Sequence, residues 1–258
     1  MLPDNPAVLS RANPLAKLAA VVILSVVLAL SIDPVSAAVA LVVELAIFPL
    51  AGLTLGLLWR RAWPLIFAAA VGGWSTAIIA ADSGRVLLDV GIWSISEGSL
   101  ALGLGFFLRG LAIALPAILL MSCTDPTDLA DALAQKAKLP HRFVLGTLAA
   151  LRLVGLMAEE WQTIGMARRA RGVGSQGSPL QKIKATLGQS FGLLVQSIRR
   201  ATRLATTMEA RGFGAGPRTW ARESTYSPID IWVLLGGLAL ASAAVTAAVA
   251  AGTWNFVL

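Results

Sequence analysis

An all-α, polytopic membrane protein is predicted, with about five transmembrane helices and a cytoplasmic helical segment inserted before the last span. Two observations carry that reading. Of 258 residues, 57% are hydrophobic and only 14% charged, with a mean hydropathy of +0.75; ordinary soluble domains carry about 25% charged residues. Cationic residues are also unevenly placed: fifteen of the 21 lysines and arginines fall within residues 124–227. Positive charge gathers on the cytoplasmic side of membrane proteins, so that segment belongs in the cytoplasm. The chain therefore divides into residues 1–123 with four spans, 124–228 as the cytoplasmic segment, and 229–258 with the fifth span.

The first span is expected at about residues 15–32, with Pro14 at a favourable first helical position and Arg11 and Lys17 at its start. A cleaved leader shows a similar basic start and apolar run, but here the next span follows almost at once. Asp33-Pro34 makes the turn into a second span at 35–58. Trp59, Arg60, Arg61 and Trp63 then mark a cytoplasmic interface, aromatic rings at headgroup level with cations beyond. A third span is expected at 64–81, an outer loop at 82–98 with Asp82, Asp89 and Glu97 against Arg85, and a fourth span at 99–123. The last covers 229–251. Each run approaches the ~20 apolar residues that cross a bilayer. A cytoplasmic N-terminus with five spans puts the C-terminus outside.

Within 124–228, Thr124-Asp125-Pro126-Thr127-Asp128 reads as a helix start, with a capping side chain, an early proline and acidic residues at the positive dipole end. That helix should run to about Lys138 and stop at Pro140. Residues 143–171 predict a helix of ~43 Å, ended by Gly172 and Gly174. Pro179 opens another at about 180–211, closed by Gly212 and Gly214. Leu180, Ile183, Leu187, Phe191, Leu194 and Ile198 recur at three and four on it, which predicts a packing stripe. Small residues let helices approach closely, so the two long helices are expected to cross near Gly146 and Ala150 on one and Gly188 and Gly192 on the other.

Chemistry-bearing residues are few. Cys123 is the single cysteine and His141 the single histidine. An internal disulfide is impossible, and neither a Cys/His metal site nor a cofactor is expected. His141 follows Pro140 and reads as a turn residue. No glycine-rich phosphate loop ending in Lys-Ser/Thr is present, so ATP hydrolysis is not expected of this chain. Nucleic acid is disfavoured because the basic segment is tethered between spans and poor in aromatic residues. Inside the spans, Glu44 and Arg109 fall at similar depths, roughly 12–16 Å by helix rise. Isolated charges there are costly, so an ion pair between them is expected, the alternative being that each reaches a separate backbone carbonyl, a water or a partner chain.

The distinctive signature occurs twice: Ala170-Arg171-Gly172 and Ala210-Arg211-Gly212, each closing a long basic helix. Glycine ends a helix by taking the left-handed conformation. Alanine leaves room for a partner surface, and arginine offers a planar five-donor fork for carboxylates and carbonyls. One copy would be an ordinary cap with a cation at the negative dipole end; two copies in one segment argue for paired docking tips.

These signatures, within residues 166–172 and 208–214, resemble the transmembrane T component of energy-coupling factor transporters, the group that includes cobalt and biotin transporter permeases. Asn13-Pro14-Leu15-Ala16-Lys17 and Thr124-Asp125-Pro126, followed by Leu133 and Pro140, support the likeness. The resemblance implies a non-catalytic coupling subunit in the cell membrane, surrounded by lipid. It implies that Arg171 and Arg211 dock into two cytoplasmic ATPases, while the chain holds a small membrane protein that captures a vitamin or metal ion. Two alternatives remain. Residues 208–216 resemble the cytoplasmic loop of a conventional ABC importer permease, although Pro217, Arg218 and Arg222 follow in place of an apolar continuation. Asp125, Asp128 and Asp131 could hold a metal in a membrane-embedded lipid-modifying enzyme, although a capped first turn explains them more simply. The transported substrate stays open.

Overall fold

The computed structural model describes residues 11–31, 33–48, 55–80, 83–89, 94–172, 178–216, 219–220 and 222–254. Among these the chain is helical apart from one short ribbon. It divides into two compact units, Met1–Ala132 with Ser224–Leu258, and Leu133–Glu223.

The first unit contains α1 (Pro14–Ala29), α2 (Pro34–Ile47), α3 (Leu55–Ile79), the strands β1 (Val86–Asp89) and β2 (Ser94–Ser96), α4 (Glu97–Cys123), most of α5 (Pro126–Gln135), and α8 (Pro228–Ala250). Caps decide where these helices begin. Asn13 Oδ1 accepts from the Leu15 N–H at 2.9 Å and opens α1. Buried Asp33 opens α2 by accepting from Ser36 N at 2.6 Å, and it also takes the Ser31 and Ser36 hydroxyls. Ser96 and Ser99 exchange side-chain-to-backbone hydrogen bonds at the start of α4, a reciprocal cap that satisfies two orphan donors. Asp125 Oδ1 accepts from Thr127 N at 2.7 Å and starts α5. Lys138 sits in the left-handed region at φ 54°, where the chain turns out of α5.

α3, α4 and α8 are long and apolar enough to cross a bilayer. α1 and α2, at 16 and 14 residues, are apolar but shorter. The core lies where α1, α2, α4 and α8 meet, around Leu24, Leu28, Ala40, Ala112, Leu240 and Ala244. Alanines at such points let backbones approach, the dominant packing device where lipid competes with every apolar side chain. Among the described residues, α3 and α4 approach each other closely through facing glycines. A Cβ on Gly73 would lie 2.7 Å from the Gly103 carbonyl oxygen, and one on Gly103 2.6 Å from that of Gly73. Only glycine fits at either position.

Two expectations are corrected here. The second span, expected at 35–58, is shorter: α2 stops at Ile47 and Leu55 already belongs to α3, with 49–54 outside the described residues. Consequently Pro64 lies inside α3 rather than at its start. Membrane helices tolerate an internal proline because neighbours re-satisfy the freed carbonyl. Trp59 and Trp63 stay exposed in the opening turns of α3, and Arg61 donates to Ser122 Oγ at the end of α4. The loop expected at 82–98 also holds an antiparallel ribbon, with Val86 opposite Ser96 and Leu88 opposite Ile95.

The second unit is built on α6 (His141–Ala170) and α7 (Pro179–Ala210), of 30 and 32 residues. Ser178 caps α7 ahead of Pro179.

Candidate functional site

Both Ala-Arg-Gly signatures end their helices in the same way. Ala170 is the last residue of α6, Arg171 its cap at φ −88°, ψ 8°, and Gly172 turns left-handed at φ 74°. Ala210 is the last residue of α7, Arg211 its cap at φ −87°, ψ 7°, and Gly212 follows at φ 71°. Gly172 N donates to Arg169 O at 3.0 Å, and Gly212 N to Glu209 O at 2.9 Å. In each case glycine supplies the left-handed step that ends the ladder, because a Cβ there would clash with the neighbouring carbonyl. The arginine ahead of it is exposed at both tips.

Side-chain meetings show that α6 and α7 run antiparallel. Glu160 pairs with Arg200, Gly165 lies against Gln189, Arg168 lies over Gly188, and Arg142 donates to Gly214 O. Positions thus rise along one helix as they fall along the other. The tips therefore stand at opposite ends of the pair, roughly 40 Å apart at 1.5 Å per residue.

The crossing is displaced from its expected place. Gly146 and Gly192 have no neighbour within 4 Å of where a Cβ would stand, and Ala150 is exposed. Instead the helices meet at Gly165, the one buried residue of α6, where a Cβ would come within 3.1 Å of the Gln189 amide. Gln189 Nε2 donates to the Trp161 carbonyl at 2.7 Å. Of the expected four, only Gly188 lies close to the partner helix, beneath the Arg168 guanidinium. A small residue at 165 opposite a long amide fits more contact into the crossing than facing glycines would. The apolar stripe of α7 is likewise not packed within the chain: Leu180, Ile183, Leu187, Phe191, Leu194 and Ile198 are all exposed.

The second tip carries structure that the signature did not forecast. Phe213 N closes back onto Met208 O at 3.0 Å, Ala215 N onto Gly212 O at 3.0 Å, and Phe213 lies edge-on to the His141 ring, centroids 6.5 Å apart. His141, Met208, Arg211, Gly212, Phe213, Gly214 and Gly216 line a cavity of about 330 Å³. His141 is thus a packing partner of the tip. Its position directly after Pro140, at a helix start, was the only sequence signal.

In the membrane unit, Glu44 and Arg109 do not meet. Arg109 Nη2 donates to Ala29 O at 2.8 Å, satisfying a carbonyl orphaned at the end of α1. Both Glu44 carboxylate oxygens are buried and accept no hydrogen bond among the described residues. Glu44 lines a cavity of about 350 Å³ with Leu24, Leu115 and Leu119, so it lies roughly 9–15 Å further along α4 than Arg109. Depth counted along each span missed the stagger: the part of α4 ahead of Arg109 extends beyond the end of α1.

Residues 6–220 match the family of CbiQ, the cobalt transport protein. The energy-coupling factor transporter transmembrane protein EcfT of Bacillus selenitireducens is 32% identical over 254 residues, covering 92% of this chain and 91% of that one. EcfT of Streptococcus thermophilus is 30% identical over 241 residues, 89% and 90% of the two chains. EcfT of Bacillus subtilis is 31% identical over 174 residues, 64% of this chain and 66% of its own length.

Proposed function

The chain belongs to the CbiQ cobalt transport protein family, the transmembrane T components of energy-coupling factor transporters, and from that membership we propose that it couples two cytoplasmic ATPases to a substrate-binding membrane subunit. Residues 124–228 form the cytoplasmic coupling segment, with the N-terminus cytoplasmic and the C-terminus outside. ATP binding and hydrolysis in the partner chains move α6 and α7, and that motion reorients the subunit that carries a vitamin or metal ion. This chain itself catalyses nothing.

One observation carries the reading: two helices in one unit end in the same backbone conformation, each presenting an exposed arginine between alanine and a left-handed glycine. A pair of equivalent ends suits a pair of equivalent grooves. The exposed stripe from Leu180 to Ile198 suits the membrane-embedded partner, because it offers apolar area that the chain itself leaves uncovered.

The test is Arg171→Ala with Arg211→Ala. Truncating a charged anchor whose partner stays desolvated commonly costs about 2–5 kcal/mol. The double variant should still insert in the membrane while losing copurified ATPases and uptake. Lysine at either position should rescue poorly, lacking the planar fork. Normal ATPase capture by the double variant would overturn the reading.

A further inference from the structure

The first turn of α1 holds both places where the chain passes between the membrane helices and the coupling segment. Lys17, 4% exposed, extends its ammonium to the end of α4: Nζ donates to Cys123 O at 3.2 Å and to Thr124 Oγ1 at 3.5 Å. A helix C-terminus presents unpaired carbonyls and the negative end of the dipole, so a buried cation is well placed there. Asn13, 6% exposed, grips the returning chain. Its Nδ2 donates to Ser224 Oγ at 2.9 Å and to Thr225 O at 3.1 Å, while its Oδ1 accepts from Leu15 N. Asp230 completes the arrangement from α8. One carboxylate oxygen accepts from Asn13 N and the other from Ser227 N, both at 2.6 Å, so a single buried side chain joins the starts of α1 and α8.

The groups are mutually dependent. Buried polar and charged side chains are tolerated only when their hydrogen-bonding capacity is met. Here Asn13 meets it with groups from three parts of the chain. Lys17 and Asp230 are also within electrostatic reach of each other. Thr124 directly follows α4, and Ser224 directly follows the second compact unit. A displacement applied at either junction is therefore delivered to one turn of α1, and α1 packs along both α8 and α4.

We propose that Asn13, Lys17 and Asp230 are positioning residues that transmit movement of the coupling segment to the membrane helices. This rests on the coupling reading above. They act by keeping both junctions fastened to α1, so that a push on the segment moves helices instead of unwinding its ends.

Spin labels at Val22→Cys on α1 and Trp232→Cys on α8, both exposed positions, report the test on a Cys123→Ser background, which leaves the Cys123 carbonyl in place. The complex with its ATPases, reconstituted in liposomes, is compared without nucleotide and with ATP and vanadate. The distance between the labels should change on trapping in the otherwise native chain. Lys17→Met and Asn13→Ala should keep copurified ATPases and at least half of the ATP hydrolysis, yet lose most of that distance change. Lys17→Arg, which still reaches both acceptors, should restore it. Undiminished change in Lys17→Met and Asn13→Ala, or no change in the native chain, overturns the proposal while ATPase capture leaves the coupling reading standing. A native chain that brings down no ATPase overturns both.

Discussion

The two Arg tips share a backbone through Gly172 and Gly212, and the described residues beyond Gly212 add contacts of their own. At Arg171 the helix stops with an ordinary final turn, its cap N–H directed at the Arg168 and Arg169 carbonyls. At Arg211 the same stop continues into a second turn, in which Phe213 and Ala215 return their N–H groups to Met208 and Gly212. Arg142 then ties Gly214 to the start of α6. The signature therefore determines the shape of the tip, whereas part of the bracing of the Arg211 tip comes from Arg142 and His141, outside the signature. Tip shape is local because a left-handed glycine needs only itself. Bracing is partly tertiary, because Arg142 and His141 are distant in sequence from Gly214 and Phe213, whereas the bonds to Met208 and Gly212 are local.

The comparison can be tested from its shared part outward. Gly165→Leu attacks the crossing on which both tips depend, and overpacking of that kind costs about 1–3 kcal/mol. Spin labels at Ala170→Cys and Ala210→Cys should both gain mobility, whereas Gly188→Leu, which only displaces the end of Arg168, should have a smaller effect. Equal effects of the two leucines would remove Gly165 from the crossing. Gly172→Val and Gly212→Val attack the tips one at a time. A side chain in the left-handed region costs about 1–2 kcal/mol, so each should weaken ATPase binding roughly five- to thirtyfold in titrations with purified ATPase. Effects of the same size at both tips would support the identity of the two caps. Arg142→Ala should have the smallest effect, about 1 kcal/mol for a hydrogen bond in solvent. It should loosen a label at position 210 and leave one at 170 unchanged. Loosening at both would show that stiffness is shared and end the distinction.

Features built from neighbours in sequence were legible: the Asp33-Pro34 turn, the Asp125 cap, the stops at Gly172 and Gly212, and the order of the apolar runs. Features that depend on how helices slide past one another were not. Glu44 and Arg109 have matching depths on paper, but sequence carries no record of the stagger that sends Arg109 to Ala29 instead. The end of α2 at Ile47 had a signal in Pro49 and Gly52, which the length of the surrounding apolar run overshadowed. Pro64 was misleading for a physical reason: a proline suits a first turn equally well as a membrane helix interior. At the candidate site, the Arg171 and Arg211 tips could be read directly. The exposed stripe on α7 could be seen as a stripe, but amphipathic spacing does not say whether a face meets its own chain or another.

The brevity of α1 and α2 bears on the lipid around them. At 1.5 Å per residue their helical parts measure about 24 and 21 Å, against a hydrocarbon layer of about 30 Å. Val22, Val26, Val42 and Leu45 on these helices are exposed, so acyl chains wet this flank directly. A bilayer in contact with it must thin by several ångström, at a cost of fractions of a kcal/mol per ångström of hydrophobic mismatch. α3, α4 and α8 are long enough to impose no such deformation.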